Sequence, residues 1–164
     1  MNLVKCQFDK HGSIILEIFN EVIEHSSALY ETELRTLQTL ETWFKEKEAL
    51  NTPILGIEEN GHLLGFASYG SFRPQPAMHL TAEHSLYIHK NSRGKKVGQQ
   101  LLTALLEHLG EKGYQNTIAA IDSENKGCII LHEKFGFTCN GKIKQAAKKF
   151  NRWLDLELYQ LKLS

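Results

Sequence analysis

The chain has 164 residues, a length typical of one domain with a substantial hydrophobic core. Nineteen basic residues balance nineteen acidic ones, and this zero formal net charge argues against a dedicated nucleic-acid binder. No apolar run approaches the roughly 20 residues that span a membrane, and the N-terminus lacks the apolar stretch of a signal peptide. We therefore predict one domain, residues 1–164, in a cytoplasmic protein that binds neither nucleic acid nor membrane.

The first half of the chain contains both helical and strand patterns. Apolar residues recur three and four positions apart at 13–27 and again at 39–49, which predicts two amphipathic helices. Asn60-Gly61 between two apolar runs is a strong β-hairpin signal. The predicted elements are, in order, a strand at 3–7, helices at 13–27 and 39–49, and strands at 54–58 and 63–69.

The second half begins with a proline-containing loop from residue 70 and then alternates strands and helices more regularly. Gly113 and Gly136 each end a helical pattern, as glycine commonly does. The predicted elements are a strand at 81–88, a helix at 97–112, a strand at 117–122, a helix at 127–135, and strands at 137–145 and 153–162. This order predicts a mixed α/β domain.

The three cysteines, Cys6, Cys128 and Cys139, are odd in number and far apart. The sequence contains no CxxC pair, so we predict neither a zinc framework nor a disulfide scaffold. We expect free thiols in a reducing compartment and no metal site.

A short basic loop joins the predicted strand at 81–88 to the helix at 97–112. The first turn of a helix leaves backbone N–H groups without partners and carries part of a positive charge, so it attracts anions. Glycines allow a ligand close to the backbone, and the sequence fits neither GxxxxGK[ST] nor GxGxxG. The loop predicts a phosphate or pyrophosphate site, although an ordinary basic turn remains an alternative. Its residues are Arg93, Gly94, Lys95, Lys96, Val97 and Gly98.

This loop resembles the R/Q-x-x-G-x-G/A loop of the GCN5-related N-acetyltransferases (GNAT), in which it holds the pyrophosphate of acetyl-CoA. Lys96 stands where the first glycine of that motif is usual. The stretch AAIDSENKGCIILHEKFGF resembles the following family segment, and Asn125 matches an asparagine that contacts the cofactor or nearby backbone. The resemblance implies an α/β (α+β) GNAT fold, a central mixed, mostly antiparallel twisted sheet of about six or seven strands flanked by about four helices.

Three further stretches are similar to the phosphinothricin and methionine sulfoximine acetyltransferase branch of this family. They are IFNEVIEHSSALYETE, SYGSFRPQPAMHLTAEHSLYIH and KKFNRWLDLELYQLKL, with Asn151 in place of a usual glycine. The resemblance implies a homodimeric enzyme that uses acetyl-CoA to acetylate the α-amine of a small glutamate-like acceptor. Two alternatives remain open: acetylation of a protein N-terminus, lysine or polyamine, and a non-enzymatic acetyl-CoA-binding module.

The resemblance also implies where acetyl-CoA lies. Its pantetheine arm would run along the strand at 81–88 like an added strand, with backbone N–H groups at 86–88 stabilising the oxyanion. The expected cofactor-binding residues are Leu86, Tyr87, Ile88, Arg93, Gly94, Lys95, Lys96, Val97, Gly98, Asn125 and Lys134.

Two residues are expected to be catalytic. By resemblance, Glu83 lies beside the acceptor amine, where it acts as the base or positions the amine while water carries the proton. A carboxylate with an ordinary pKa near 4.3 is a poor base for an ammonium, so a raised pKa would favour the first role. His132 occupies the position of the family's tyrosine general acid and is a candidate proton donor to the CoA thiolate. A solvated carboxylate and a packed histidine are the structural alternatives.

Arg73 is the candidate for binding the acceptor's α-carboxylate, because a guanidinium pairs with a carboxylate through two parallel hydrogen bonds. Nearby prolines would stiffen its loop. An exposed surface arginine is the alternative. The expected substrate-binding residues are Arg73, Pro74, Glu83, His84 and Ser85.

Overall fold

A computed structural model describes residues 1–163, which form seven strands and four helices. The strands are β1 (Asn2–Lys5), β2 (Leu55–Glu59), β3 (His62–Ser71), β4 (Thr81–Ile88), β5 (Asn116–Asp122), β6 (Thr138–Lys149) and β7 (Arg152–Lys162). The helices are α1 (Phe8–His25), α2 (Leu37–Ala49), α3 (Val97–Glu111) and α4 (Lys126–Lys134), with two short 3-10 turns at Pro76–Met78 and Lys90–Ser92.

The strands form one sheet in the order β1-β2-β3-β4-β5-β7-β6. Neighbouring strands are antiparallel except β4 and β5, which pair in parallel where Thr81–Glu83 lies against 116–118. This confirms the predicted mixed, mostly antiparallel sheet with four helices. Beyond Glu83 the two parallel strands diverge, and a cavity lies between them.

Helices cover both faces of the sheet. Helix α3 buries Val97, Leu101, Leu105 and Leu109 on one face of the sheet, where residues of α4 also pack. On the other face, α1 and α2 pack around Phe66. Among residues 1–163, no helix combines the length and the apolar content needed to cross a membrane.

Helix α1 begins at Phe8 rather than at the predicted residue 13. His11 explains the difference, because its buried Nδ1 accepts the Gln7 backbone N–H at 2.9 Å and so caps the first turn. Gly12 is required next to it, since a Cβ there would lie 2.9 Å from the Phe8 ring. The first turn is mostly polar, so the apolar periodicity that predicts a helix did not extend to it. His11 and Gly12 are nevertheless buried.

Strand β6 runs to Lys149, past the predicted end at residue 145. Its pairing with β7 shifts register between Ile143 and Ala147, and Gln145 there has a left-handed φ of 53°. A bulge of this kind interrupts the alternation on which a strand prediction depends. At the hairpin tip, Phe150 and Asn151 both have positive φ, so asparagine serves in place of the usual glycine.

Candidate active site

A cleft of about 620 Å³ lies where β4 and β5 separate, and it is also lined by the basic loop and the start of α4. At the two ends of the β3–β4 pair, the Phe72 N–H donates to the Thr81 C=O (3.1 Å) and the His89 N–H donates to the Leu64 C=O (2.8 Å). Because backbone groups alternate sides along a strand, those of Leu86 therefore face the cleft.

The same alternation places the backbone groups of Ile88 on the cleft side and turns those of Tyr87 toward β3. Of the three backbone N–H groups at 86–88 that were expected to stabilise the oxyanion, only those of Leu86 and Ile88 therefore face the cleft. Tyr87 still lines the cleft with its side chain.

The basic loop forms one end of the cleft, as predicted for an anion site. Helix α3 begins at Val97, and Lys96 immediately before it adopts a left-handed conformation with φ 64°. Gly94 also has positive φ, at 79°. Successive backbone N–H groups in such a turn make a concave anion site in front of the helix N-terminus. Five of the six loop residues line the cleft: Arg93, Gly94, Lys96, Val97 and Gly98.

Lys96 stands where the family motif usually has its first glycine, and its left-handed φ is a conformation that glycine adopts without strain. A side chain in this conformation costs roughly 1 kcal/mol, so we expect Lys96→Gly to raise the free energy of unfolding by about 1 kcal/mol. Urea unfolding without ligand measures this change, with Lys95→Gly as the control because Lys95 does not have positive φ. An equal effect of the two glycines, or none at position 96, would contradict the strain argument.

The remaining predicted cofactor residues differ in their placement. Arg93 lines the cleft and forms an ion pair with Glu21 of α1, with 2.8 Å between Nη2 and Oε2. Asn125 also lines the cleft, and its Oδ1 accepts the Cys128 N–H at 3.4 Å as the N-cap of α4. Lys95 and Lys134 are exposed and lie outside the cleft lining.

A second cavity, of about 360 Å³, adjoins the cleft and is called the acceptor cavity below. The two cavities share wall residues, among them His84 and Ser85. Glu83 lines the acceptor cavity, where partial burial raises the pKa of its carboxyl group and the charge of Arg73 opposes that rise. The structure thus places Glu83, His84 and Ser85 in the lining of one cavity.

Asp122 anchors the opposite wall and was not identified from the sequence. Its carboxylate is 2% exposed, lines the acceptor cavity and accepts hydrogen bonds from the Ser27 hydroxyl (2.8 Å), the Tyr30 hydroxyl (2.7 Å) and the Glu124 N–H (3.1 Å). These bonds hold the α1–α2 connection over the cavity. An acidic residue at the end of a buried strand was the signal in the sequence.

Lys149 of β6 also holds the α1–α2 connection in place. Its buried ammonium donates to the backbone carbonyls of Ser26 (2.8 Å) and Leu29 (2.7 Å). Burial lowers the pKa of this lysine, and the nearby Glu31 opposes that change. The β6–β7 hairpin therefore helps to shape the acceptor cavity even though it lies at the edge of the sheet.

His84 and His132 form a buried pair beside both cavities. The His132 Nδ1 lies 2.8 Å from the Cys128 carbonyl, which can only accept, so this nitrogen carries the proton. Burial lowers the pKa of both imidazoles, that of His84 to about 3. The neutral His132 Nε2 therefore accepts from the His84 Nε2–H at 3.0 Å, and the His84 Nδ1 accepts from the Thr117 hydroxyl at 2.6 Å.

Arg73 and Pro74 are exposed on the loop after β3 and lie outside the lining of the acceptor cavity. The Arg73 Nη1 donates to the Phe72 carbonyl at 2.7 Å, and its guanidinium carbon lies 4.2 Å from the Phe72 ring centroid. Its charge nevertheless acts on the carboxyl group of Glu83. The side chain therefore approaches the site from outside the cavity.

The family model for the acetyltransferase (GNAT) domain matches residues 13–158, which include both cavities and the basic loop. The chain belongs to the GNAT acetyltransferase family. The resemblance inferred from the basic loop and its neighbouring segments is confirmed, as is the prediction that the chain is an enzyme of this class.

Relatives with curated names agree with the predicted branch of the GNAT family. The chain is 36% identical to the L-methionine sulfoximine/L-methionine sulfone acetyltransferase of Salmonella typhimurium over 91% of this chain and 87% of the relative. It is 29% identical to the phosphinothricin N-acetyltransferase of Streptomyces viridochromogenes over 89% of this chain and 79% of that one.

One of the solved structures that resemble this chain contains acetyl-CoA. A Salmonella typhimurium protein solved with its cofactor acetyl-CoA superimposes with a TM-score of 0.96 at 33% identity, over 100% of this chain and 94% of that one. Among residues 1–163, no group of three or more His, Cys, Asp or Glu side chains is arranged to hold a metal ion.

Proposed function

We propose that this GNAT protein is an acetyl-CoA-dependent N-acetyltransferase that acts on the α-amine of a small amino-acid-like acceptor, of the phosphinothricin or methionine sulfoximine type. The observation that carries the proposal is the shared wall between the two cavities at His84 and Ser85, next to Glu83. A cofactor in the cleft and an amine in the acceptor cavity meet at this wall.

The chemistry is direct transfer. Glu83 takes a proton from the acceptor ammonium, directly or through a water, and its raised pKa suits this role better than that of an ordinary carboxylate. The backbone N–H groups of Leu86 and Ile88 donate to the carbonyl oxygen of the thioester as it becomes an oxyanion. The amine nitrogen attacks the thioester carbon and forms the C–N bond. Collapse of the tetrahedral intermediate restores the C=O bond, breaks the C–S bond and releases the CoA thiolate, and the nitrogen gives its second proton to water.

We propose His132 as the proton donor to that thiolate, which requires that one of its present hydrogen bonds break. Both of its ring nitrogens have partners, Cys128 and His84. Donation from Nδ1 requires that the bond to the Cys128 carbonyl break. The alternative is a positioning role, in which the imidazole pair holds α4 against β4 and water protonates the thiolate.

The size of the acceptor cavity supports a small acceptor. A volume of about 360 Å³ suits an amino acid better than a protein segment, and it lies at the lower end of ordinary ligand pockets. Acetylation of a protein segment is therefore the weaker alternative.

We also propose that the protein is a cytoplasmic homodimer. Three large apolar side chains of the β6–β7 hairpin are about half exposed, Ile143 at 48%, Phe150 at 47% and Trp153 at 56%. Such a cluster supports a contact with a second copy. The three cysteines are free, which supports a reducing compartment.

The direct test is CoA-thiol release from acetyl-CoA with a panel of amines. The panel contains phosphinothricin, methionine sulfoximine, methionine sulfone, spermidine and a short peptide. Turnover with the amino acids and little with spermidine or the peptide is the expected result. Acetyl-CoA binding without turnover of any acceptor would leave only the binding-module reading, and a preference for the peptide or spermidine would replace the proposed acceptor.

Arg73 provides a second test of the acceptor's chemistry. If its guanidinium binds the α-carboxylate beside the amine, Arg73→Ala should raise KM for an amino acid about tenfold or more. The matched acceptor is the corresponding amine without the carboxylate, for which the variant and the wild type should have equal kcat/KM. An equal loss for both acceptors would show that Arg73 acts on the loop and not on the carboxylate.

A further inference from the structure

The acceptor cavity has two ends, which are defined by residues that it shares with neighbouring depressions. At one end, Ser85 and Tyr87 also line the cofactor cleft. At the other end, Arg35 and Trp43 also line a separate surface depression. Because the acetyl group comes from the cofactor cleft, the acceptor amine lies at the Ser85 end and the acceptor side chain extends toward Arg35.

Aromatic rings connect these two ends. The ring centroid of Phe19 lies 5.4 Å from that of Tyr87 and 5.4 Å from that of Trp43, and all three residues line the cavity. The guanidinium carbon of Arg35 lies 3.8 Å from the Phe19 centroid. An apolar passage with a carboxylate at Glu83 and a guanidinium at Arg35 suits an amino acid whose methylene chain carries a polar tip.

Arg35 is held in place by contacts that leave part of its guanidinium available. Its backbone N–H donates to the Asn20 Oδ1 at 2.8 Å, and its carbonyl accepts from the Asn20 Nδ2 at 3.1 Å. The side chain pairs with Glu31 through Nε and Nη2. A guanidinium has five N–H donors, so this side-on pairing leaves the end-on edge, formed by Nη1 and the second Nη2 hydrogen.

We propose that the end-on edge of Arg35 binds an oxo oxygen, S=O or P=O, at the tip of the acceptor side chain. Arg35 thereby selects acceptors that carry such an oxygen over acceptors with a thioether or alkyl tip. The inference rests on the proposed acetylation of a small amino acid and adds Arg35 as the residue that recognises its side chain. Glu31 already balances the guanidinium charge, so the remaining donors suit an oxo group better than a side-chain carboxylate.

The test compares methionine sulfone with methionine, which share one carbon skeleton and differ by the two sulfone oxygens. Wild-type protein should have the higher kcat/KM with the sulfone. Arg35→Met keeps an apolar stem and removes the donors, so the sulfone-to-methionine ratio of kcat/KM should fall at least about tenfold, the loss expected of one charge-assisted hydrogen bond. KM for acetyl-CoA should not change, because Arg35 lies outside the cofactor cleft.

Two further variants make the outcome decisive. Glu31→Gln removes the partner of Arg35 and should keep the preference for the sulfone. Arg35→Leu, which also lacks the donors, replaces Arg35→Met if the methionine variant does not fold, as judged by circular dichroism. An unchanged ratio, with or without an equal loss for both acceptors, overturns the proposal and leaves Arg35 as a support of the α1–α2 connection.

The wild-type protein alone separates this proposal from the proposed function. Equal kcat/KM for methionine and its sulfone overturns the role of Arg35 while acetylation of amino acids stands. Absence of turnover with any amino acid overturns the proposed function, and the role of Arg35 falls with it.

Discussion

Replacing Glu83 with glutamine is expected to lower kcat by about 10²- to 10⁴-fold, the range typical of a lost general base. Glutamine keeps the size of the side chain and its place in the cavity wall, so KM for acetyl-CoA should stay within about twofold, since Glu83 lies outside the cofactor cleft. Steady-state kinetics with methionine sulfone measure both constants. Glu59→Gln is the matched control, because Glu59 is an exposed carboxylate at the β2–β3 turn.

The pH profile identifies which role Glu83 has. Burial raises the pKa of its carboxyl group, and only the deprotonated form accepts a proton. If Glu83 is the base, kcat therefore falls as the pH drops through this raised pKa, so the acidic limb lies above the ordinary value of 4.5. In Glu83→Gln this limb should disappear. A variant that keeps both the limb and most of its kcat would show that Glu83 only positions the amine or is not catalytic.

Replacing Asp122 with alanine is the second change with a large expected effect. The substitution leaves the Ser27 hydroxyl and the Glu124 N–H without this acceptor, and it leaves the Tyr30 hydroxyl with only the Asp155 carbonyl at 3.3 Å. Hydrogen bonds to a buried charged group contribute about 1.5–3 kcal/mol each and are not additive. We expect the free energy of unfolding to fall by about 3 kcal/mol, as measured by urea denaturation.

The same variant should also bind the acceptor more weakly. The α1–α2 connection that Asp122 holds forms one wall of the acceptor cavity, so KM for the acceptor should rise while KM for acetyl-CoA changes little. Tyr30→Phe removes only one of the bonds and should cost about 1 kcal/mol. If Asp122→Ala loses no more stability than Tyr30→Phe, the network does not depend on the carboxylate.

Much of the cofactor half of the site could be predicted from the sequence, because its determinants are local. The strand at 81–88, the basic loop and the start of α3 at Val97 are consecutive in the chain, and each carries its own pattern. The proposed cofactor contacts there are mostly with backbone groups, whose positions follow from secondary structure. The left-handed φ of Lys96 was the exception, since a lysine gives no local sign of that conformation.

The acceptor half could be predicted only in part, because it is assembled from distant segments. Tyr30 meets Asp122 across 92 positions, and Lys149 meets Ser26 across 123. Neither pair leaves a periodic signal in one sequence. The same limit applies to His132, whose second partner, His84, lies 48 positions away and donates to its Nε2.

The short parallel ladder between β4 and β5 gives a bound cofactor a part in the stability of the fold. Over Thr81–Glu83 these strands join the two parts of the sheet, and beyond it Leu86 and Ile88 present backbone groups to the cleft. A pantetheine arm in that cleft would complete the sheet in the way a missing strand would. A ligand that binds only the folded state stabilises it by about 2.7 kcal/mol at one hundred times its Kd. Acetyl-CoA bound there would therefore raise the free energy of unfolding as well as supply the acetyl group.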